Sequence, residues 1–187
     1  MPNLGASAVV FDSRKILLIQ RKDLETWSLP GGFVDPEETV AQAAVREVAE
    51  ETGVEAELTR IVGVYSSPQW GNGGDHTVVF AAARTGGELR RQESEVKDVG
   101  FFDPDDLPEP FLWWHEQRVC DAVMGLGGSV ARMQGVVWPF EATWSRKEIF
   151  EFFVQSGLSK EEFYRRYWTE RGPNDGKIEV SEVRNRS

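Results

Sequence analysis

The sequence predicts an α/β fold, in which helices cover a β-sheet, and two observations predict it. Apolar and β-branched runs bounded by turn-forming residues are typical of strands and occur at 7–11, 15–21, 57–66, 76–84 and 99–102. Two further segments place apolar residues at helical spacing, one ending at Gly53 and the other spanning 111–126. Strands interleaved with amphipathic helices form layers around a hydrophobic core.

The first helix has recognisable start and stop signals. The segment 24–32 is rich in Pro and Gly and is predicted to be a loop that leads to this helix. Asp35 is a suitable N-cap, Pro36 suits the first helical position, and Glu38 stands where a capping-box glutamate would lie. We therefore expect the helix to begin at Asp35 and to end at Gly53.

This helix carries an apolar stripe and a cluster of glutamates. The stripe is predicted to pack on the sheet and consists of Val40, Ala41, Ala44, Val45 and Val48. Glu47, Glu50 and Glu51 lie beside it at positions i, i+3 and i+4, so we expect them at its accessible edge. Each like-charged pair costs about 0.2–0.5 kcal/mol on an exposed helix. A hard divalent cation such as Mg²⁺ would offset that repulsion.

The chain is predicted to divide at residue 126 into a domain, 1–126, and a C-terminal extension, 127–187. The extension holds few regular signals before 145, apart from a candidate short strand. Two segments, 145–157 and 159–172, each open with Ser-x-x-Glu and close on glycine, which predicts two consecutive helices. The polar tail that begins at Pro173 is expected to be frayed.

Charge and composition exclude several classes of function. The net charge is −10, and residues 1–111 hold 10 Lys and Arg against 20 Asp and Glu, whereas 112–187 hold 11 against 11. Such a surface repels long nucleic acid and anionic membranes. The sequence contains one cysteine, Cys120, so no internal disulfide can form, and this residue is expected to be a buried thiol. Without a signal peptide or a long apolar run, a cytoplasmic protein is the expectation.

The segment from Gly32 to Val54, which reads GFVDPEETVAQAAVREVAEETGV, has a distinctive spacing. It resembles the signature of the Nudix hydrolases at every defined position, and the resemblance extends over about residues 5–126. It implies an α/β/α sandwich with a mixed sheet. It also implies hydrolysis of a diphosphate linked to a further group, usually a nucleoside, with Mg²⁺ or Mn²⁺.

The resemblance assigns roles to the matched positions. Glu47, Glu50 and Glu51 would be metal ligands, while Arg46 and Glu38 would brace the loop and orient those ligands. Gly32 would permit a backbone path that a side chain obstructs. Two simpler interpretations stay open, because Glu38 could serve only as a helix cap, and Glu50 only as the i+4 partner of Arg46.

A further acidic residue outside this segment is expected to act as the catalytic base. Glu95 is preferred within the acidic stretch 91–98, with Glu93 and Asp98 as the alternatives. Glu47 is a further alternative base. The same stretch is also interpreted as an ordinary solvated loop.

Substrate contacts are harder to assign. Arg21 ends a strand, where it would contact phosphate or solvent, and Trp27 would stack on a base or cover the core. His76 flanks a Gly-rich loop, 67–75, that is a candidate substrate lid, although a local hydrogen bond also explains this histidine. In the second helix, one of the adjacent residues Trp113 and Trp114 is predicted to lie on the buried face and the other on the exposed face.

Two classes of function follow. The first is a metal-dependent pyrophosphohydrolase that cleaves a small nucleoside diphosphate derivative of the ADP-ribose, nucleotide-sugar or CDP-alcohol type, with nucleoside triphosphates as further candidates. The second is a nucleotide-sensing regulator whose C-terminal helices bind DNA or protein through Arg165, Arg166 and Arg171. The neutral tail and the complete glutamate set oppose the second. The aromatic residues of the extension are instead predicted to pack on the domain or to form a homodimer.

Overall fold

A computed structural model of the chain describes residues 2–71, 73–126, 130–141, 143–173 and 175–177, with the side chains of 130–133 left out. The strands are β1 (Asn3–Asp12), β2 (Lys15–Arg21), β3 (Trp27–Ser28), β4 (Gly31–Phe33), β5 (Val54–Ser67), β6 (Asp75–Gly87), β7 (Val96–Phe102) and β8 (Val130–Met133). The helices are α1 (Val40–Thr52), α2 (Trp113–Val123), α3 (Arg146–Ser156) and α4 (Lys160–Tyr167). Most of the tail predicted to be frayed, residues 178–187, lies outside the described residues.

The eight strands form one mixed sheet, as predicted. Along its main path the strands lie in the order β3-β2-β1-β6-β5-β8, while β4 pairs with β1 and β7 pairs with β2. The β1–β6 and β5–β8 pairs are parallel, and the other pairs are antiparallel. None of the helices in the described ranges is long and apolar enough to cross a membrane.

Alternation along β1 separates the two faces of the sheet. Val9 belongs to a core cluster with Val119 of α2, whereas Val10 belongs to another cluster with Val48 of α1. Successive side chains of a strand point to opposite faces, so one apolar strand supplies both cores. The result is the predicted α/β/α sandwich.

The start of α1 differs from the prediction. The N-cap is Thr39, whose Oγ1 accepts the Gln42 N–H at 3.2 Å while the Gln42 side chain accepts the Thr39 N–H at 2.9 Å. Glu37 has a left-handed backbone conformation, with φ of 67°, which cannot continue a helix from Asp35. The C-terminal end at Gly53, where φ is 70°, is confirmed.

The buried face of α1 is also rotated from the predicted stripe. Ala43, Ala44 and Val48 are fully buried, whereas Val45 is 38% exposed. The side chain of Glu51 lies on this buried face and is only 6% exposed, rather than at an accessible edge. An ionisable group therefore occupies a position that packing alone would give to an apolar residue.

The extension packs on the domain. Both predicted helices are present, capped by Ser145 and Ser159, each in a capping box with the glutamate three residues on. However, α4 ends at Tyr167 with Trp168 as its C-cap, and Gly172 instead donates its N–H to the carbonyl of Gly135 at 2.5 Å. An aromatic cluster joins the extension to α2 and is built around Leu112, Trp113, Trp114, Val136, Ile149, Phe153, Phe163 and Trp168.

Two predictions about α2 are wrong. Trp113 and Trp114 are both buried, because the extension covers the face of α2 that the sheet leaves open. Cys120 is exposed rather than buried. The α2 residues that face the sheet are instead Val119 and Ala122, which have the fully buried positions next to this cysteine.

Candidate active site

The carboxylate of Glu51 is the centre of the site. Its Oε2 accepts the N–H of Gly31 at 2.9 Å, which places the end of α1 against the short strand β4. Burial raises the pKa of Glu51 to about 8, and the negative charges of Glu47 and Glu95 add to that rise. Burial likewise raises the pKa of Glu47. The three carboxylates therefore interact electrostatically, and two of them, Glu47 and Glu51, are partly desolvated.

Arg46 holds part of this cluster. Its guanidinium makes two hydrogen bonds with Glu38, each 2.9 Å long, and donates to Glu47 at 2.8 Å and to Glu50 at 3.2 Å. It also donates to the carbonyl of Phe33 at 3.1 Å. The hydrogen bonds to Arg46 lower the pKa of Glu38 below its ordinary value.

The direct contact between Glu38 and Arg46 was not expected from helical spacing. Those residues are eight apart, too far for neighbours on one helix face. The contact forms because Glu38 lies in the turn before α1, where its chain direction differs from that of the helix. The pair thus fastens the loop between β4 and α1 to the helix that carries the glutamates.

Gly32 faces Glu47. A Cβ atom added at Gly32 would lie 2.3 Å from Oε1 of Glu47 and 2.6 Å from its Cδ. A glycine is therefore needed here because a side chain would occupy the space of the Glu47 carboxylate. The sequence predicted instead that a side chain would obstruct the path of the backbone. Its neighbour Gly31 has the unusual φ of 153°, and a side chain there would collide with Ala6 and Ser7 of β1.

Glu95 belongs to the same charge cluster. It directly precedes β7, and its carbonyl accepts the N–H of Lys22 at 2.8 Å, which holds it beside the end of β2. Its negative charge acts on both Glu47 and Glu51. Asp98, one of the alternatives, turns its carboxylate to the N–H of Val99 at 2.8 Å.

The donor set fits a hard divalent cation. Carboxylate oxygens are the ligands that Mg²⁺ and Mn²⁺ prefer, and a bound cation would offset the desolvation and the like-charge repulsion that raise the pKa of Glu51. Within the described part of the chain, no three His, Cys, Asp or Glu side chains already surround a single point. Glu47 and Glu50 would have to exchange their Arg46 bonds for an ion before the set could converge.

A cavity of about 220 Å³ opens beside the cluster. Gly31, Gly32 and Phe33 form one edge of it, next to the carboxylates. The sheet, the loop between β2 and β3, and α2 contribute polar side chains that include Ser7, Arg21, Asp23, Thr26, Ser28, Ser67, Asp75, Thr77, His115 and Arg118. The loop 67–75 and the extension contribute Trp70, Val136, Trp138, Arg146, Ile149, Phe150 and Trp168.

Of three residues predicted to contact substrate, one lines the cavity and two do not. Arg21 lines the cavity, where it bonds Asp23 at 3.0 and 2.5 Å. Trp27 does not line it, because Thr26 and Ser28 face the cavity and alternation turns the indole into the core, edge-on to Phe102. The ring of His76 is 3.0 Å from Ser66 Oγ, a local bond, and His76 is not among the cavity residues.

Sequence reasoning missed His115 and Arg118. They lie one helical turn apart on α2. The sequence shows this spacing, but it predicts only that the helix is amphipathic. His115 Nδ1 accepts the N–H of Leu29 at 3.1 Å, and burial together with Arg118 lowers the pKa of His115 well below its ordinary value. Burial lowers the pKa of Arg118 to about 10, and its guanidinium donates to Gln134 at 2.9 Å.

Comparisons with known proteins match most of the chain to one family. The family model described as NUDIX domain matches residues 1–122. The chain is 41% identical over 105 residues to a Bacillus subtilis protein provisionally named an 8-oxo-dGTP diphosphatase, covering 56% of this chain and 68% of that protein. It is 38% identical over 124 residues to the ADP-ribose pyrophosphatase of Methanocaldococcus jannaschii, covering 64% and 72%.

Solved structures extend the likeness to the fold. The crystal structure of an ADP-ribose pyrophosphatase from Streptococcus suis aligns with a TM-score of 0.58 and 31% identity. The alignment covers 71% of this chain and 98% of that one. The family model covers the residues of the carboxylate cluster and ends before the extension.

Proposed function

The chain belongs to the Nudix family and is a pyrophosphohydrolase, and we propose that it cleaves a nucleoside diphosphate linked to another group in a metal-dependent reaction. The observation that carries the proposal is the buried carboxylate of Glu51 beside Glu47 and Glu95, at the edge of a cavity. Relatives named for ADP-ribose support substrates of the nucleoside diphosphate sugar type. A relative named for 8-oxo-dGTP keeps nucleoside triphosphates among the substrates to be tested.

Glu47, Glu50 and Glu51 would hold Mg²⁺ or Mn²⁺. When bound, such an ion neutralises charge on the diphosphate oxygens and lowers the pKa of an attacking water. Before an ion binds, Arg46 holds the first two of these carboxylates, and Glu38 holds Arg46 through its paired hydrogen bonds.

The proton of the attacking water has to be accepted by a side chain near the cluster. Glu95 is exposed and close enough to act on Glu47 and Glu51, so it suits this role better than a carboxylate committed to the ion. Arg21, at the cavity edge, can neutralise a phosphate oxygen once it leaves Asp23.

The test is a hydrolysis screen with Mg²⁺ or Mn²⁺ over ADP-ribose, nucleotide sugars, CDP-alcohols, dinucleoside polyphosphates, NADH and nucleoside triphosphates, run in ¹⁸O-labelled water. The product that carries the label identifies the phosphorus that water attacks. Glu51→Gln should lower turnover at least about 10²-fold, by analogy with losing one electrostatic contact to the transition state. Glu57→Gln, at an exposed position of β5, is the charge-matched control. Turnover by Glu51→Gln at the control rate would reject the proposal.

The regulator hypothesis receives less support from the extension. Arg165 pairs with Glu161 at 2.8 Å, and Arg171 lies over the ring of Trp113, 4.5 Å from its centroid. Two of the three arginines expected to meet DNA thus make contacts within the protein. The aromatic faces of α3 and α4 pack on the domain, while homodimer formation stays a prediction.

A further inference from the structure

We propose that the C-terminal extension completes the substrate site, with the cavity taking the nucleoside of the substrate and Arg146 binding a phosphate attached to it. The inference rests on the proposed function in assuming a nucleotide substrate. It adds the part of the substrate that the cavity takes and a binding residue outside the segment that matches the family model.

Several buried polar atoms without partners belong to residues that line this cavity. Within the described ranges, five buried side-chain nitrogen or oxygen atoms lack a hydrogen-bond partner, and four of them belong to cavity residues. Those four are Ser7 Oγ, Thr26 Oγ1, Arg118 Nε and Trp168 Nε1, on side chains of residues 1–5% exposed. Such atoms are costly to bury unless something bonds to them, so their concentration in one place indicates a ligand.

The chemistry of these atoms restricts the ligand. Arg118 Nε and Trp168 Nε1 can only donate, whereas Ser7 and Thr26 hydroxyls can donate or accept. A ligand that bonds both of these donors therefore presents at least two acceptors. Nucleobases do so through their ring nitrogens and carbonyl oxygens.

The shape of the cavity agrees with a nucleoside. Trp70, Trp114 and Trp168 give it an aromatic wall, and their ring centroids are 5.4–6.1 Å apart. Flat heterocycles stack well on such walls. At about 220 Å³ the cavity is below the roughly 300–1,000 Å³ of sites for whole drug-sized ligands, so it takes one part of a larger substrate.

Arg146 connects this cavity electrostatically to the carboxylates. It is the first residue of α3, lines the cavity, and its guanidinium is 5.9 Å from the ring centroid of Phe33. Its charge interacts with Arg21, Asp23, Glu95 and Glu51, so it belongs to the same electrostatic site as the cluster. Two arginines at close range repel, and a phosphate bound between Arg21 and Arg146 would relieve that repulsion.

Binding can be measured without catalysis. The full-length protein would be titrated in EDTA with the monophosphates of adenosine, cytidine, guanosine and uridine, with the nucleosides alone, and with ribose 5-phosphate. Calorimetry and tryptophan fluorescence would report binding. The variants are Arg146→Gln, the neighbouring Lys147→Gln as the charge-matched control, Arg146→Lys as the conservative variant, and Thr26→Val.

We expect the wild type to bind at least one nucleoside monophosphate. Arg146→Gln should weaken that binding about 10- to 100-fold and leave nucleoside binding unchanged, because one charged hydrogen bond is lost. Arg146→Lys should recover part of the loss, and Lys147→Gln, with a side chain 85% exposed, should have no effect. Thr26→Val should weaken the binding of nucleosides and of their monophosphates to the same extent. It should not lower thermal stability, since the Thr26 hydroxyl has no hydrogen-bond partner in the protein.

Equal effects of Arg146→Gln and Lys147→Gln would overturn the role of Arg146. Ribose 5-phosphate binding as tightly as the best monophosphate would overturn the assignment of the cavity to the nucleoside. Failure of every probe to bind would mean that the buried polar atoms serve only water and would also overturn the inference. Because no turnover is required, these outcomes are independent of the hydrolysis screen that tests the proposed function.

Discussion

Replacement of Gly32 by Ala should separate catalysis from stability. The added Cβ would lie 2.3, 2.6 and 3.0 Å from the three carboxylate atoms of Glu47. Carbon atoms in contact are normally about 3.5–4.0 Å from their neighbours, so the carboxylate has to retreat by about 1 Å. A misplacement of this size in an active site can cost about 10²-fold in rate, which is about 2.7 kcal/mol of barrier.

The effect on folding should be small for the same substitution. The colliding group is the end of a flexible side chain, which can rotate away. Alanine also restricts the unfolded chain, a gain of about 0.4–1 kcal/mol that offsets part of the strain. We therefore expect the free energy of unfolding to stay within about 1 kcal/mol of wild type.

Gly86→Ala supplies a matched control. Its Cβ would lie 2.7 Å from Oε2 of Glu55, a comparable collision with a carboxylate away from the site. Turnover of the substrate found in the screen and urea unfolding would be measured for both variants. Gly32→Ala with wild-type turnover, or equal loss of turnover in both variants, would refute the reasoning that Gly32 makes room for the position of Glu47.

Three further predictions concern the helix start, the base and a buried histidine. Thr39→Ala should lower the free energy of unfolding by about 1 kcal/mol through loss of the N-cap, while Asp35→Ala should change it by less; the reverse order in urea unfolding would restore Asp35 as the cap. Glu95→Gln should lower turnover by about 10²-fold, whereas Glu93→Gln should keep it, and full turnover by Glu95→Gln would reject that base. Folded His115 resists protonation, so as pH falls from about 6.5 towards its lowered folded pKa the unfolded state binds the extra proton and stability declines, by up to about 1.4 kcal/mol per pH unit. His115→Gln should flatten that decline in urea unfolding at several pH values, and an unchanged slope would contradict the assignment of a neutral histidine.

Local patterns predicted most of the fold because they depend on neighbouring residues. The Ser-x-x-Glu signals located the starts of α3 and α4, and Gly53 located the end of α1. The same logic failed at Asp35, which has a cap sequence but is followed by Glu37 in a left-handed conformation. It failed again at the end of α4, where Gly172 was predicted to end the helix. Gly172 instead donates its N–H to the carbonyl of Gly135, a residue distant in sequence.

The spacing of the glutamates, glycines and arginine identified the segment that resembles the family signature, because that spacing can be recognised without any other part of the protein. Burial of Glu51, the bond from Glu38 to Arg46 and the collision that reserves Gly32 for glycine are decided by how β4 and the turn fold against α1. The residue type of Trp27 did not predict whether its side chain faces the cavity or the core. The alternation of side chains along the strand decides this, and it directs the indole into the core.

The sequence by itself therefore determined an α/β sandwich, a carboxylate cluster and the class of bond that is cleaved. Only the tertiary structure brought Arg118 of α2 and Arg146 and Trp168 of the extension to one cavity beside that cluster. The physical reason is the range of the signals: helix caps and side-chain spacing act within a few residues, whereas a cavity wall joins segments more than 100 residues apart whose packing no local pattern records.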